Sequence, residues 1–162
     1  FENTKANVDI KMTDELEKVY PLAKEYNVAD KIFYTGVKDE FVEPVKTKSP
    51  EISYFLNVKV SKLKNKNRNY LLSLVEKVKN AGAIGINFKY TSASKELVDV
   101  FHENGLLVSI WTVDDENNMY KILSLIKYVH SIINKELFNP LNKFIINLIF
   151  TSISNQSNQR TD

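Results

Sequence analysis

Short apolar runs return along this chain on a regular beat, with a helical pattern between most of them. Anchored at Asp9, Phe33, Phe55, Ile86, Ile110 and Ile132, the successive intervals are 24, 22, 31, 24 and 22 residues. A strand, a helix and two connections fill such an interval, so the beat predicts repeated β/α units and a parallel sheet. Strands of that kind are covered on both faces, which is why they read as unbroken apolar runs rather than alternating ones.

The clearest unit is Gly105 to Glu116, G-L-L-V-S-I-W-T-V-D-D-E. Gly105 suits the left-handed position that closes a helix, and Leu106 to Ile110 reads as a buried strand. Trp111 and Thr112 form its tip, and Asp114, Asp115 and Glu116 are suited to cap and charge the start of a new helix. The other strands are predicted at Asn7–Lys11, Lys31–Thr35 (ended by Gly36), Ile52–Leu56, Ala83–Tyr90 and Tyr128–Ile133. Helices are predicted at Thr13–Glu25, kinked or split at Pro21, at Asp39–Thr47, interrupted by Pro44, and at Asn69–Asn80, Ser94–Asn104 and Asp115–Lys127. No G-x-G-x-x-G follows any strand, which removes the main argument for a dinucleotide-binding sheet. The expected fold class is α/β, a (β/α) TIM-barrel type that is incomplete, with about six of the eight units such a barrel needs. Residues 1–137 are expected to form that part-barrel, and residues 138–162 an apolar segment with a polar tail.

Composition narrows the function classes. The 162 residues are 43% hydrophobic and 11% aromatic, enough for one domain with a real core. Net charge is +2 with both signs interspersed, which argues against a dedicated nucleic-acid binder. The Lys- and Asn-rich stretch from Lys59 to Asn69 reads as charged surface, since it lacks interleaved aromatics. Cysteine is absent, so disulfides and thiolate metal sites are excluded. No apolar run approaches the roughly 20 residues of a membrane span. The opening F-E-N-T-K has neither an initiator Met nor a signal-peptide layout, as expected of a chain that starts inside a longer protein. The compartment is left undetermined.

Asp9 and Lys11 stand at i, i+2 on one strand, so both side chains leave the same face. A carboxylate there suits a hard cation and an ammonium suits a phosphate, although a solvated strand-end pair has the same appearance. The surrounding motifs resemble the glycerophosphodiester phosphodiesterase family. N-V-D-I-K (residues 7–11) is similar to the family's N-[IV]-E-[IL]-K strand, and W-T-V-D (residues 111–114) to its W-T-V-[DN] tip. G-I-N-F (residues 85–88) is similar to G-[IV]-N-[LF], and V-H-S-I-I-N (residues 129–134) to the last strand. The pieces run in family order from Asn7 to Asn134.

The resemblance implies metal-dependent hydrolysis of a glycerophosphodiester to glycerol 3-phosphate and an alcohol. It puts a divalent metal (Mg or Ca) on Asp9, the phosphate on Lys11 and the glycerol side on Trp111. Asp stands where the family has Glu, one methylene shorter, and Thr35–Gly36 replaces a Ser-Phe pair. The family's H-R-G, E-x-D and second histidine, which supply its acid/base groups and two metal ligands, do not occur in this sequence. No catalytic residue is therefore expected here, the metal is expected only in the complete domain, and the chain by itself is expected to be inactive. His102 reads as a structural or surface residue, and His130 stands mid-strand where the family has Asp. Two alternatives stay open: a non-catalytic remnant or binding module of the same fold, and another phosphate-handling barrel enzyme. The expected partner is a small-molecule glycerophosphodiester, with no nucleic acid. A part-barrel also leaves open sheet edges, through which Phe138 to Phe150 folds back or the chain self-associates.

Overall fold

The computed structural model describes residues 5–113, 115, 117–122 and 124–125, and the backbone of 145–146. In chain order these give β1 (Ala6–Asp9), α1 (Leu16–Glu25), β2 (Ile32–Val37), α2 (Val42–Lys48) and β3 (Tyr54–Asn57). There follow α3 (Arg68–Ala81), β4 (Gly85–Lys89), α4 (Lys95–Glu103), β5 (Leu107–Trp111) and the two-residue β6 (Ile145–Ile146). Every neighbouring pair is parallel, and the spatial order is β1-β2-β3-β4-β5-β6, the same as the chain order. A doubly wound sheet reverses its order at a switch point, whereas a barrel adds each strand beside the last. The fold is thus α/β of the TIM-barrel type and incomplete. The predicted strand Tyr128–Ile133 lies outside the described residues, as does His130, and the position beside β5 is held by Ile145–Ile146.

Strand parity sorts the core. One face of the sheet presents Tyr34, Tyr54, Leu56, Ile86, Phe88, Val108 and Ile110 to a layer of helices. Leu71, Leu74, Val75 and Val78 of α3 and Leu97, Val98 and Phe101 of α4 meet them there. The opposite face carries Phe33 and Phe55, whose rings meet edge to face at 5.7 Å. No helix among the described residues is long and apolar enough to cross a membrane.

Local signals explain most boundaries. Asn67 and Ser94 cap α3 and α4, accepting the N–H of Tyr70 at 3.0 Å and of Leu97 at 3.1 Å. Gly82, at φ 73°, closes α3. Asp115 accepts the N–H of Asn118 at 2.9 Å, ahead of a helical stretch over residues 117–122. Pro44 interrupts nothing: it sits in the first turn of α2, where a missing N–H costs no hydrogen bond. Helix α1 runs on through Pro21 instead of splitting there.

Two strand ends differ from expectation. β1 stops at Asp9, so Lys11 lies just past it, although the Ile10 N–H still donates to the Thr35 carbonyl at 2.8 Å. Gly36 does not end β2 but sits inside it at φ 76°, where the β2–β3 register shifts between Tyr34 and Val37. This is a bulge built on glycine, the residue that takes positive φ without strain.

Candidate functional site

The inner face of the sheet is layered. Register places Phe55, Gly85 and Leu107 in one row, Asn57, Asn87 and Ser109 in the next, and Lys89 beside Trp111 above them. The order from floor to rim is therefore apolar, then amide and hydroxyl, then charged and aromatic. It rises toward the strand C-termini, the end at which barrels of this type gather their functional groups.

At that end lies a cleft of about 440 Å3. Asp9 and Lys11 line it from β1 and the residues after it, and Trp111 and Thr112 from the tip of β5. Thr35, Gly36, Asn57 and Asn87 line it between them. The three residues singled out from sequence thus border one cavity, although two of them come from β1 and the third from β5. Their states differ. Lys11 donates to the Asp9 carboxylate at 2.7 Å, and both are solvent-accessible, so the pair is readily exchanged for another partner. Trp111 is 39% exposed, a large aromatic face left open at the rim.

The wall of the cleft is a hydrogen-bonded chain. The Gly36 N–H donates to Asn57 Oδ1 at 3.1 Å, which fixes that atom as the carbonyl oxygen. Asn87 turns its Nδ2 toward the same oxygen at 2.6 Å. Among the described residues, none donates to the buried Asn87 Oδ1. Thr35 Oγ1 donates to Asn7 Oδ1 at 2.9 Å. A buried acceptor without a partner is costly, and one beside a cleft is suited to a ligand donor.

A second compartment of about 420 Å3 opens beside the first and shares Lys38, Asn57, Asn87 and Trp111 with it. Lys59 and Lys89 complete its charged lining. Asn57, Lys59, Asn87, Lys89 and Lys38 were not among the residues singled out from sequence. A signal for them exists: N-x-K at the ends of β3 (Asn57-Val58-Lys59) and β4 (Asn87-Phe88-Lys89) repeats the i, i+2 logic of Asp9 and Lys11. Lys59 is therefore more than charged loop surface, since it borders this second compartment.

The donor set does not by itself make a metal site. Among the described residues no three His, Cys, Asp or Glu side chains converge, and Asp9 is the lone carboxylate of the cleft. Six or more oxygens are usual for Ca2+ and six for Mg2+. His102 stands apart from the cleft on α4, where burial lowers its pKa and Asp99 partly opposes the shift.

The family model described as the glycerophosphoryl diester phosphodiesterase family matches residues 2–133. Among solved structures, a provisionally named glycerophosphodiester phosphodiesterase from Galdieria sulphuraria superposes with a TM-score of 0.54 at 23% identity. That match covers 75% of this chain and 50% of that one. A second provisionally named protein, a glycerophosphoryl diester phosphodiesterase from Silicibacter pomeroyi, gives 0.54 at 16% identity over 70% of this chain and 38% of its own. At those identities the likeness is one of fold, and the chain spans half the length of these structures or less. No protein of curated function matches the chain. The family match, covering most of the chain, carries the assignment: this chain belongs to the glycerophosphoryl diester phosphodiesterase family.

Proposed function

We propose that the cleft at the strand C-termini binds the phosphoglycerol part of a glycerophosphodiester, as one portion of a site that hydrolyses it to glycerol 3-phosphate and an alcohol. The observation carrying this reading is that Asp9, Lys11 and Trp111 border one cavity of about 440 Å3 in a chain of this family. Lys11 contacts the phosphate, exchanging its exposed ion pair with Asp9 for a phosphate oxygen. Trp111 covers the glycerol side with its open face. Asp9 would supply one ligand to a divalent ion, Mg or Ca, whose other ligands the described residues do not provide. Such an ion, when bound, neutralises charge on the phosphate oxygens.

The acid/base histidines and the E-x-D ligands of the family do not occur in this sequence. Binding without turnover is accordingly the behaviour proposed for the chain as it stands. General acid–base groups typically contribute about 10²–10⁴-fold, so their absence alone accounts for an inactive chain.

Trp111 is the single tryptophan, which makes its fluorescence a direct reporter. Titration with glycerol 3-phosphate should shift its emission saturably, and Lys11→Gln should weaken that binding about tenfold or more, the value of one charge-assisted contact. No saturable change, or an unaltered affinity in the Lys11→Gln variant, would remove the site assignment.

A further inference from the structure

The second compartment carries a charge pattern that glycerol and one phosphate do not use. Lys38, Lys59 and Lys89 border it from the tips of β2, β3 and β4, and none of the described residues in its lining is a carboxylate. Among the described residues Lys59 and Lys89 have no ion-pair partner, while Lys38 reaches Glu40 only at 3.8 Å with both side chains exposed. Adjacent strand tips stand about 4.8 Å apart, so three flexible ammonium groups can converge on one anion.

The floor adds a second requirement. Asn57 Oδ1 is already engaged by Gly36 and Asn87, and Asn87 Oδ1 is a buried acceptor that wants a donor. A hydroxyl meets that need and a phosphate oxygen does not. Trp111, shared by both compartments, would by itself welcome a quaternary ammonium. Three lysines, with no counter-charge among the described residues of the lining, reverse that preference.

We propose that this lysine-lined compartment receives the alcohol half of the diester, and that it selects a phosphorylated polyol over a cationic alcohol such as choline. The inference rests on the proposed phosphoglycerol site and deepens it by naming the class of alcohol. Lys38, Lys59 and Lys89 hold the additional phosphate, and Asn87 Oδ1 accepts from a polyol hydroxyl. Asn57 acts through Asn87 as a positioning residue.

The test is equilibrium binding to the full chain at low salt, read by Trp111 fluorescence. The ligands are glycerol 3-phosphate, glycerophosphocholine and glycerophosphoinositol 4-phosphate. The expected result is that the phosphorylated inositol diester binds about tenfold or more tightly than the choline diester. Lys59→Gln with Lys89→Gln should erase that difference while weakening glycerol 3-phosphate binding far less than it weakens the inositol diester, and Lys62→Gln, on the same loop but outside the lining, should leave the preference in place. Equal affinities for the two diesters, or a preference that survives the double variant, would overturn the proposal and leave the phosphoglycerol site intact. If glycerol 3-phosphate fails to bind while the inositol diester binds through Lys59 and Lys89, the compartment stands and the phosphoglycerol reading falls. If none of the ligands binds, both fall. Vesicles of phosphatidylcholine carrying phosphatidylinositol 4-phosphate separate a membrane headgroup from a free diester. Capture by vesicles with no binding of the soluble diester would overturn the proposal.

Discussion

Replacing Gly36 with alanine should damage this protein more than the same change at Gly105, and the difference isolates a single steric cause. The two glycines have nearly the same backbone, φ 76° and 73°. A side chain at either site adopts the left-handed region, at about 1–2 kcal/mol. Alanine also restricts the unfolded chain, which returns about 0.4–1 kcal/mol. The second effect partly offsets the first, so Gly105→Ala, whose new Cβ meets none of the described residues within 4 Å, should cost about 0–2 kcal/mol. At Gly36 a Cβ would stand 2.5 Å from the Ile10 carbonyl oxygen and 2.8 Å from the Ile10 nitrogen, with Asp9 Oδ1 against it as well. Backbone just past the end of β1 cannot swing aside as a side chain can. Overpacking of this kind adds about 1–3 kcal/mol, giving about 1–5 kcal/mol for Gly36→Ala. Urea unfolding followed by Trp111 fluorescence, with equal m-values confirming comparable transitions, measures both variants. A Gly36→Ala variant no less stable than Gly105→Ala would refute the bulge and the close packing of β1 on β2 at this point.

Three further outcomes follow from the same contacts. Asn57→Ala strands the Gly36 N–H and the buried Asn87 amide, and should cost about 1–3 kcal/mol in the same unfolding assay. His102 is held neutral by burial, its pKa lowered from the ordinary 6.5. The unfolded chain then takes up a proton first as pH falls below that value, so stability should decline from neutral pH downward until the folded histidine also protonates. His102→Gln should flatten that part of the stability–pH curve, and an unchanged slope would contradict the assignment. Finally, purified chain should release no alcohol from glycerophosphocholine or glycerophosphoinositol above a metal-free blank, and turnover of either would mean that other residues supply the missing proton transfers.

The β/α beat was legible because parallel strands write themselves as apolar runs, and β1 to β5 lie where the anchors Asp9, Phe33, Phe55, Ile86 and Ile110 put them. Gly36 was harder to place. A glycine after an apolar run reads as a strand end, and only the tertiary register shows that this one makes a bulge inside β2. Pro44 misled in the same way, since its harmlessness depends on α2 beginning two residues before it. In the site, Asp9, Lys11 and Trp111 were visible through parity and family resemblance. Asn57 and Asn87 were not singled out: the N-x-K spacing at both strand ends was there to read, but only the register of neighbouring strands shows that both amides take the inner face. Lys59 was hidden differently: its lysine- and asparagine-rich surroundings look like solvent-facing loop, and only the fold brings it beside Lys89 and Trp111.

If the site is assigned correctly, ligand enters at the strand C-termini, between the tips of β1 and β5. Amide and indole NMR shifts of the 15N-labelled full chain during titration with glycerol 3-phosphate, with and without Mg2+, test it most directly. Saturable shifts should be confined to Lys11, Gly36, Asn57, Asn87 and the Trp111 indole, with α3 and α4 silent. Shifts gathered on the outer faces of those helices, or none near Trp111, would contradict it.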